Sequence, residues 1–529
     1  MVIIGLGGSG LIWKLLSLRS KLLWFPFAGP RGHWLAMSPK RPPNMHTRLA
    51  WITHWAKQFS EKDGQTPVSF RIMGRLFVLV PSLADIKELL KARPDPLTRT
   101  KGFYVATQGT HHPGLFNANG TEWKRQRRIY APAFNAKNVE GMLNTIEAKA
   151  NALTSALHKQ QVVAVREWFQ YFTTDVICEV AFGLRFNCLD SSGEDEASVR
   201  SREIVKNVTE LFEDVKLRVE SPLAMLSLSL PIWIQNLFSV NRKRNQLMGQ
   251  LNQYMSDVAS ERLRLLKKNP SDAKSDLLDQ AILSALKDPE PVQEYKLVEM
   301  LASNIFTFFV AGSETTASTL SYLFYYLAHH PQWQDAARQQ ARQLLVKADQ
   351  AAPSVKDYEQ VDVVKACVME TMRLNAVVPF LGSEVSREGF SFKGMQMPKG
   401  TIMLALARQA NTDPSKLEDP MSWRPERWLE GTDPASMKLD LNASERIGIM
   451  PDLAFGYGPR VCPGKRLAEL ELVLVTAKLL HEFNSIEPLH SQTAMRMDEG
   501  HTIGAWPIMR FGESKNDYQE LMIAFKREH

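Results

Sequence analysis

Cysteine is scarce in this chain. Its 529 residues hold four, Cys178, Cys188, Cys367 and Cys462, and none are spaced as C-x-x-C. That argues against a zinc site of cysteines and against a disulfide framework, and it favours a reducing compartment. No Lys/Arg tract interleaved with aromatics occurs, so nucleic-acid binding is not expected. No repeat recurs at solenoid periods. Acid is missing from residues 1–60, the first being Glu61. A long apolar run is missing there too. Val2 to Trp13 is apolar but Gly-rich, and shorter than the roughly 20 residues a spanning helix needs.

What remains is an ordinary globular composition, 44% apolar and 23% charged, on a chain long enough to bury a large core and a cofactor. The net charge of +7 is a mild basic excess. It fits a mixed soluble surface, or local patches that dock an acidic partner or an anionic membrane. The first 25 residues mix Leu15, Leu16, Leu18, Leu22, Leu23, Trp24 and Phe25 with Lys14, Arg19 and Lys21. They are expected to be a membrane anchor or targeting segment. An uncleaved anchor, an interfacial helix and a mitochondrial or plastid transit peptide are the forms to distinguish. Residues 26–529 form the body.

The pattern predicts an extended entry at Pro26 to Pro43 and a hairpin across Val68 to Val80. Helix follows from Thr121 to about His158, punctuated by Gly120 and Pro132. A long helix over Gln293 to Ala328 is expected to be interrupted at Ala311-Gly312. Helices are also predicted at Lys356 to Leu374 and Lys465 to Phe483, with short strands between Glu388 and Ile402. Pro414 to Met450 reads as irregular. Helix dominates, with minor strands gathered at both ends. That makes one large α+β body, not a βαβ alternation.

The most informative stretch is Phe455-Gly456-Tyr457-Gly458-Pro459-Arg460-Val461-Cys462-Pro463-Gly464. A thiolate bound to iron needs its charge moderated, and backbone N–H groups of a tight turn do that. Gly458 and Gly464 permit such a turn and close approach to a flat macrocycle. Arg460 is placed to pair with a propionate. Phe455 walls off the sulfur, and the helix from Lys465 brings its positive end near it. A buried structural cysteine beside a Gly-rich turn is the bland alternative, but the full spacing F-x-x-G-x-R-x-C-x-G is far more specific.

That spacing resembles the haem-binding signature of the cytochrome P450 family at each fixed position. Glu370-Thr371-Met372-Arg373 resembles its E-x-x-R motif. Pro425-Glu426-Arg427-Trp428 resembles its P-E-R-F segment, with Trp in place of Phe. The resemblance implies a buried structural network of Glu370, Arg373 and Arg427. Trp123 to Arg127 resembles W-x-x-x-R, which implies that Trp123 and Arg127 reach one propionate. The same helix carries a basic face at Lys124, Arg125 and Arg128. With Lys465 and Arg466, these are candidates for docking an acidic redox partner. One departure is Ser383, where many family members carry an arginine to the other propionate; Arg387 is close but out of register.

Ala311-Gly312-Ser313-Glu314-Thr315-Thr316 resembles the family's A-G-x-[DE]-T-[TS] motif. A glycine and several threonines are poor choices inside a helix. Either two helices cross closely there, or the helix ladder opens and presents the hydroxyl of Thr315, with Glu314 relaying protons.

Taken together, the resemblance implies a mainly α (α+β) fold, a large helical haem-binding body with small β-sheets. Its cofactor would be haem b, with Cys462 as the iron ligand. Its activity would be oxygen insertion from O2 into an apolar substrate: fatty acid, sterol, terpenoid or xenobiotic. Substrate-lining candidates are Phe103 to Phe116, Phe308, Ala311, Val377 to Leu381 and Ile503 to Trp506. Pro222 to Phe238 reads as a segment that dips into a membrane or as a buried helix. No flavin or ferredoxin unit is recognisable. Electrons are therefore expected from a separate donor, an NADPH-cytochrome reductase, or a ferredoxin if the protein is mitochondrial. Endoplasmic reticulum is the expected location, mitochondrion the alternative. A haem-thiolate isomerase or dehydratase, and a haem-binding sensor or carrier without turnover, are the competing classes; the Glu314–Thr315 pair argues against the first.

Overall fold

The structure is a computed structural model. It describes residues 48–60, 65–72, 75–100, 112–160, 162–190, 195–220, 230, 232–288, 290–347, 353–433, 436–489 and 521–527. The predictions for residues 1–25, for Pro26 to Pro43, for 103–111 and for 503–506 lie outside those residues, as does most of 221–231.

Helix dominates, as expected. The longest, Glu294–His329, is buried along most of its length, as a helix apolar on nearly every side must be. Val165–Phe182 packs along it, and Ser239–Lys268 crosses it on another side. The expected interruption at Ala311-Gly312 is absent: the helix is continuous. Gly312 serves the close crossing instead. A Cβ built there would lie 2.6 Å from Cγ1 of Ile177. Gly312→Ala is therefore expected to destabilise by about 1–3 kcal/mol, as overpacking does. Adding Ile177→Val should recover part of the loss in urea unfolding. An additive double variant would count against the clash.

The predicted Lys356 to Leu374 helix is two. A capping box of Ser354 and Asp357 opens the short Val355–Tyr358, and Asp362–Leu374 follows. The hairpin forms as Val68–Ile72 against Arg75–Val80. The strands do not simply collect at the chain ends. A five-stranded sheet runs in the order Val68–Ile72, Arg75–Val80, Ile402–Leu406, Phe380–Val385, Leu97–Thr98. Arg75–Val80 pairs in parallel with Ile402–Leu406. A smaller sheet joins Val162–Ala164, Ser485–Pro488 and Met522–Lys526. Periodicity cannot reveal pairings between strands more than 300 residues apart.

Asp362–Leu374 carries the acid–base network. Glu370 and Arg373 are fully buried and form two 2.8 Å hydrogen bonds. Arg427 Nε reaches Glu370 at 3.4 Å, and the Arg424 amide donates to it at 2.9 Å. Arg373 also donates to the carbonyls of Asn411, Pro420 and Ser422. The Trp in place of Phe has a physical use: Trp428 Nε1 donates to Glu370 at 2.9 Å. A phenyl ring would remove one of the two donors to that oxygen, leaving Arg373 Nε alone on it.

Candidate active site

A cavity of about 760 Å³ opens between the central helix, Gly120–Tyr130, the five-stranded sheet and the cysteine loop. Cys462, Gly464, Phe455, Arg460, Trp123, Arg127, Ala311, Gly312 and Thr315 all line it. Trp123 and Cys462, 339 residues apart in sequence, meet on one surface here. Glu314 does not line the cavity.

In the cysteine loop, the Cys462 amide donates to the Phe455 carbonyl at 2.8 Å and closes the turn. Gly458 has φ +73°, and a Cβ there would lie 2.9 Å from the Leu90 carbonyl oxygen. Gly456, which the sequence reading passed over, has φ +82°. Gly464 needs no unusual dihedral, with φ −81°. What its missing side chain leaves open is the space 4.0 Å from Cys462 Sγ. Burial pushes the Cys462 thiol up, while the Gly464 amide, Arg127 and Lys465 pull it down. Cys178, Cys188 and Cys367 are buried away from the cavity, and burial pushes all three thiols up.

Five arginines line the cavity; Arg75 pairs with Glu384 at 2.6 Å, which leaves four guanidiniums to account for: Arg93, Arg99, Arg127 and Arg460. Arg460 is buried, donates to the Phe116 and Ala118 carbonyls, and lies over the Trp123 ring at 4.8 Å. Arg127 Nη1 donates to the Val461 carbonyl at 3.2 Å. Burial, then Arg99 and Arg127, pushes Arg460 down to about 9, and burial pushes Arg99 to about 10. Among the described residues no carboxylate pairs with any of the four. Arg99 Nε and Arg460 Nε are buried with no acceptor. A guanidinium keeps its charge at neutral pH, so this wall is cationic and unanswered by protein. Such a wall fits a flat group carrying two carboxylates, with a cysteine sulfur opposite the central helix.

Sequence reasoning missed Arg93, Arg99 and the clamp behind Arg460. Asn304 accepts from the Leu115 amide at 2.7 Å and donates to Gln126 at 2.9 Å. Gln126 in turn donates to the Pro113 carbonyl at 2.8 Å. These bonds hold the segment whose carbonyls grip Arg460. An asparagine inside the apolar Asn304 to Val310 run was the available signal.

On the central helix, Thr315 Oγ1 donates to the Ala311 carbonyl at 2.7 Å. That backbone bond, not an opened ladder, orients the hydroxyl at the cavity edge. Glu314 is buried and accepts from Gln170 Nε2 at 2.5 Å, and the same nitrogen reaches Thr209 Oγ1 at 3.0 Å.

Leu115, Phe116, Phe308, Val377, Val378 and Phe380 line the cavity as anticipated. Trp55, Phe70 and Phe77 extend it toward Arg48–Phe59 and the hairpin, which sequence position did not foretell. The basic face is partly neutralised. Asp288 pairs with Arg128 at 2.9 Å and lies 3.7 Å from Arg125, while Lys465 bonds Asp452. Lys124 and Arg466 stay exposed. Arg387 pairs with Asp95 and takes no part in the cavity.

A helical body with small sheets, and a cavity in which one cysteine meets a cationic wall, fit the class of haem-binding oxygenases. The chain belongs to the cytochrome P450 family, whose model, "Cytochrome P450", matches residues 49–507. Mouse (Mus musculus) cytochrome P450 2J5 is 23% identical over 454 residues, covering 85% of this chain and 83% of its own. Human (Homo sapiens) mitochondrial sterol 26-hydroxylase is 25% identical, covering 84% and 75%. Cytochrome P450 monooxygenase COX2 of Coprinopsis cinerea is 26% identical, covering 90% and 86%. The protein is a haem-dependent monooxygenase. It inserts one oxygen atom from O2 into an apolar organic substrate with electrons from a separate redox partner.

Proposed function

We propose that this protein is a membrane-associated, haem b monooxygenase in which Cys462 is the iron ligand and Thr315 the group that orders proton delivery. The observation that carries the reading is the shared cavity: Cys462 and Thr315 line it together, beside four unanswered arginines. Bound haem supplies the oxygen activation, with electron density pushed from the thiolate. The chain's own residues do the rest. The Gly464 amide, Arg127 and the amino end of Lys465–Glu482 stabilise the charge on Cys462. Trp123, Arg127 and Arg460 hold the propionate edge. Ala311 presents only a methyl group to the cavity and so permits close approach, while Gly312 lets the helix seat against Ile177. Apolar walls at Phe308, Val377 and Phe380 exclude water and seat the substrate.

Thr315 gives its one hydroxyl proton to the Ala311 carbonyl, which fixes the rotamer, so at the cavity edge its oxygen accepts a hydrogen bond and orders the group that delivers the proton. Glu314, one residue back and off the cavity, returns protons through the Gln170 side of the helix. Thr315→Ala is expected to lower product formation by up to about 10²-fold and to divert reducing equivalents to peroxide. Thr315→Ser should keep most of the yield. Product per NADPH unchanged in Thr315→Ala would remove the residue from proton delivery.

Membrane association is supported by Leu230, Ile232, Trp233, Leu237 and Phe238, all large, apolar and exposed. Among the described residues no helix is long and apolar enough to cross a membrane. We place the protein at the endoplasmic reticulum, anchored by residues 1–25 and served by an NADPH-cytochrome reductase. A mitochondrial site with a ferredoxin is the second reading, favoured by the mitochondrial relatives. Cell fractionation, with turnover reconstituted by each donor in turn, separates the two.

A further inference from the structure

The cationic wall contains more positive charge than the recognised motifs account for. Trp123, Arg127 and Arg460 come from two of them. Arg93 and Arg99 come from none, yet both line the same cavity. Arg93 is 4% exposed, and the charges of Arg99 and Arg460 act on it directly. Burying a cation without a counter-ion costs several kcal/mol, and clustering like charges adds to that. Such a cluster persists in a folded protein when a bound anion answers it.

The way Arg93 is held points to its use. Ser383, fully buried on Phe380–Val385, accepts a hydrogen bond from Arg93 Nε at 2.7 Å. Arg93 Nη2 donates to the carbonyls of Gly382 at 2.8 Å and Leu381 at 3.2 Å. Three bonds thus fix one side of the planar fork. No acceptor among the described residues meets Nη1. Ser383 is also the position where the chain departs from the arginine common in its family. A serine there leaves room for a guanidinium arriving from outside the strand.

We propose that Arg93, held in place by Ser383, is a haem-propionate anchor that supplies the cation position 383 lacks. Arg99, whose Nε is buried without an acceptor and whose guanidinium lies 4.3 Å over the Phe116 ring, stands beside it as a second donor. This rests on the reading that haem fills the cavity. The bland alternative is a purely structural arginine, which ties the chain after Leu83–Lys91 to the sheet through neutral carbonyls.

The test uses haem-loaded full-length protein. Arg93→Leu, Arg93→Lys, Ser383→Ala and the exchange Arg93→Ser/Ser383→Arg are compared with wild type. Two readouts are taken: the rate of haem transfer to excess apomyoglobin, and the reduction potential of the iron. Arg93→Leu is expected to speed haem transfer about tenfold, the loss of one charge-assisted hydrogen bond, and to lower the potential by removing a cation. Ser383→Ala should speed transfer by a smaller factor. The exchange should return the rate to within about threefold of wild type, because the charge returns from the strand. A merely structural arginine would lower stability without moving the potential, and the exchange would not rescue it. Transfer from Arg93→Leu within about twofold of wild type, under conditions where Arg127→Leu accelerates it, overturns the proposal. Should Arg93→Leu not fold, Arg93→Lys and the exchange give the same decision, unchanged transfer in both refuting it. A wild-type protein that takes up no haem overturns the cavity reading and this proposal together. A haem-loaded wild type with indifferent Arg93 variants overturns this proposal alone.

Discussion

Cys462→Ala is expected to abolish the strongly red-shifted Soret band of the reduced, carbon-monoxide-bound protein, and to reduce product formation to background. Only Cys462 among the four cysteines lines the cavity. It alone has an amide, an arginine and a lysine pulling its thiol down against burial. A thiol that coordinates a metal is deprotonated outright, so those groups stabilise the form the iron needs. Burial raises the thiols of Cys178, Cys188 and Cys367, with Asp175 adding to it at the first two and Glu370 at the third, which disfavours the thiolate. Replacing any of the three should leave the band in place. Far-UV circular dichroism should show the helices intact in Cys462→Ala, since the half-buried side chain carries little of the core. A red-shifted band that survives Cys462→Ala in folded protein would move the ligand elsewhere and undo the assignment.

The second large effect concerns stability. Glu370→Ala is expected to destabilise the fold by about 3–5 kcal/mol, because it strands a buried guanidinium. Arg373 is completely buried and both of its bonds to Glu370 vanish. The Trp428 indole and the Arg424 amide lose their acceptor as well. Urea unfolding should show a lower midpoint and, since the network braces Pro425–Trp428 on the way to the cysteine loop, faster haem loss. The ion pair of Arg424 with Glu426 provides the contrast. Both side chains are exposed, and Glu426→Ala should cost no more than about 1 kcal/mol. A loss from Glu370→Ala as small as that would mean the network does not bear on the fold.

How much of this was legible beforehand follows from what each residue depends on. Local chemistry reads well. The cysteine turn, the helix after it and the Glu370–Arg373 pair each lie within a few residues of chain, so spacing alone implies contact. Trp428 shows the margin: its substitution for Phe was visible, but its bond to Glu370 58 residues away was not. The central helix shows the reverse. Gly312 and its threonines signalled something unusual, and two readings were open. The helix stayed whole because Ile177 of a neighbouring helix fills the space a side chain would take, and no local pattern carries that information.

By itself, then, the amino-acid sequence determined the class of chemistry and the predominance of helix, and it singled out the thiol proposed to serve that chemistry. All three rest on residue types at short, fixed intervals. The tertiary structure alone decided which charges meet. It brought Arg93 to Ser383 across 290 residues, set Arg460 over Trp123, and turned Glu314 away from the cavity that Thr315 faces. The reason is physical. Hydrogen bonds and charge repulsion act over a few ångströms in space, and chain separation places no limit on which residues come that close.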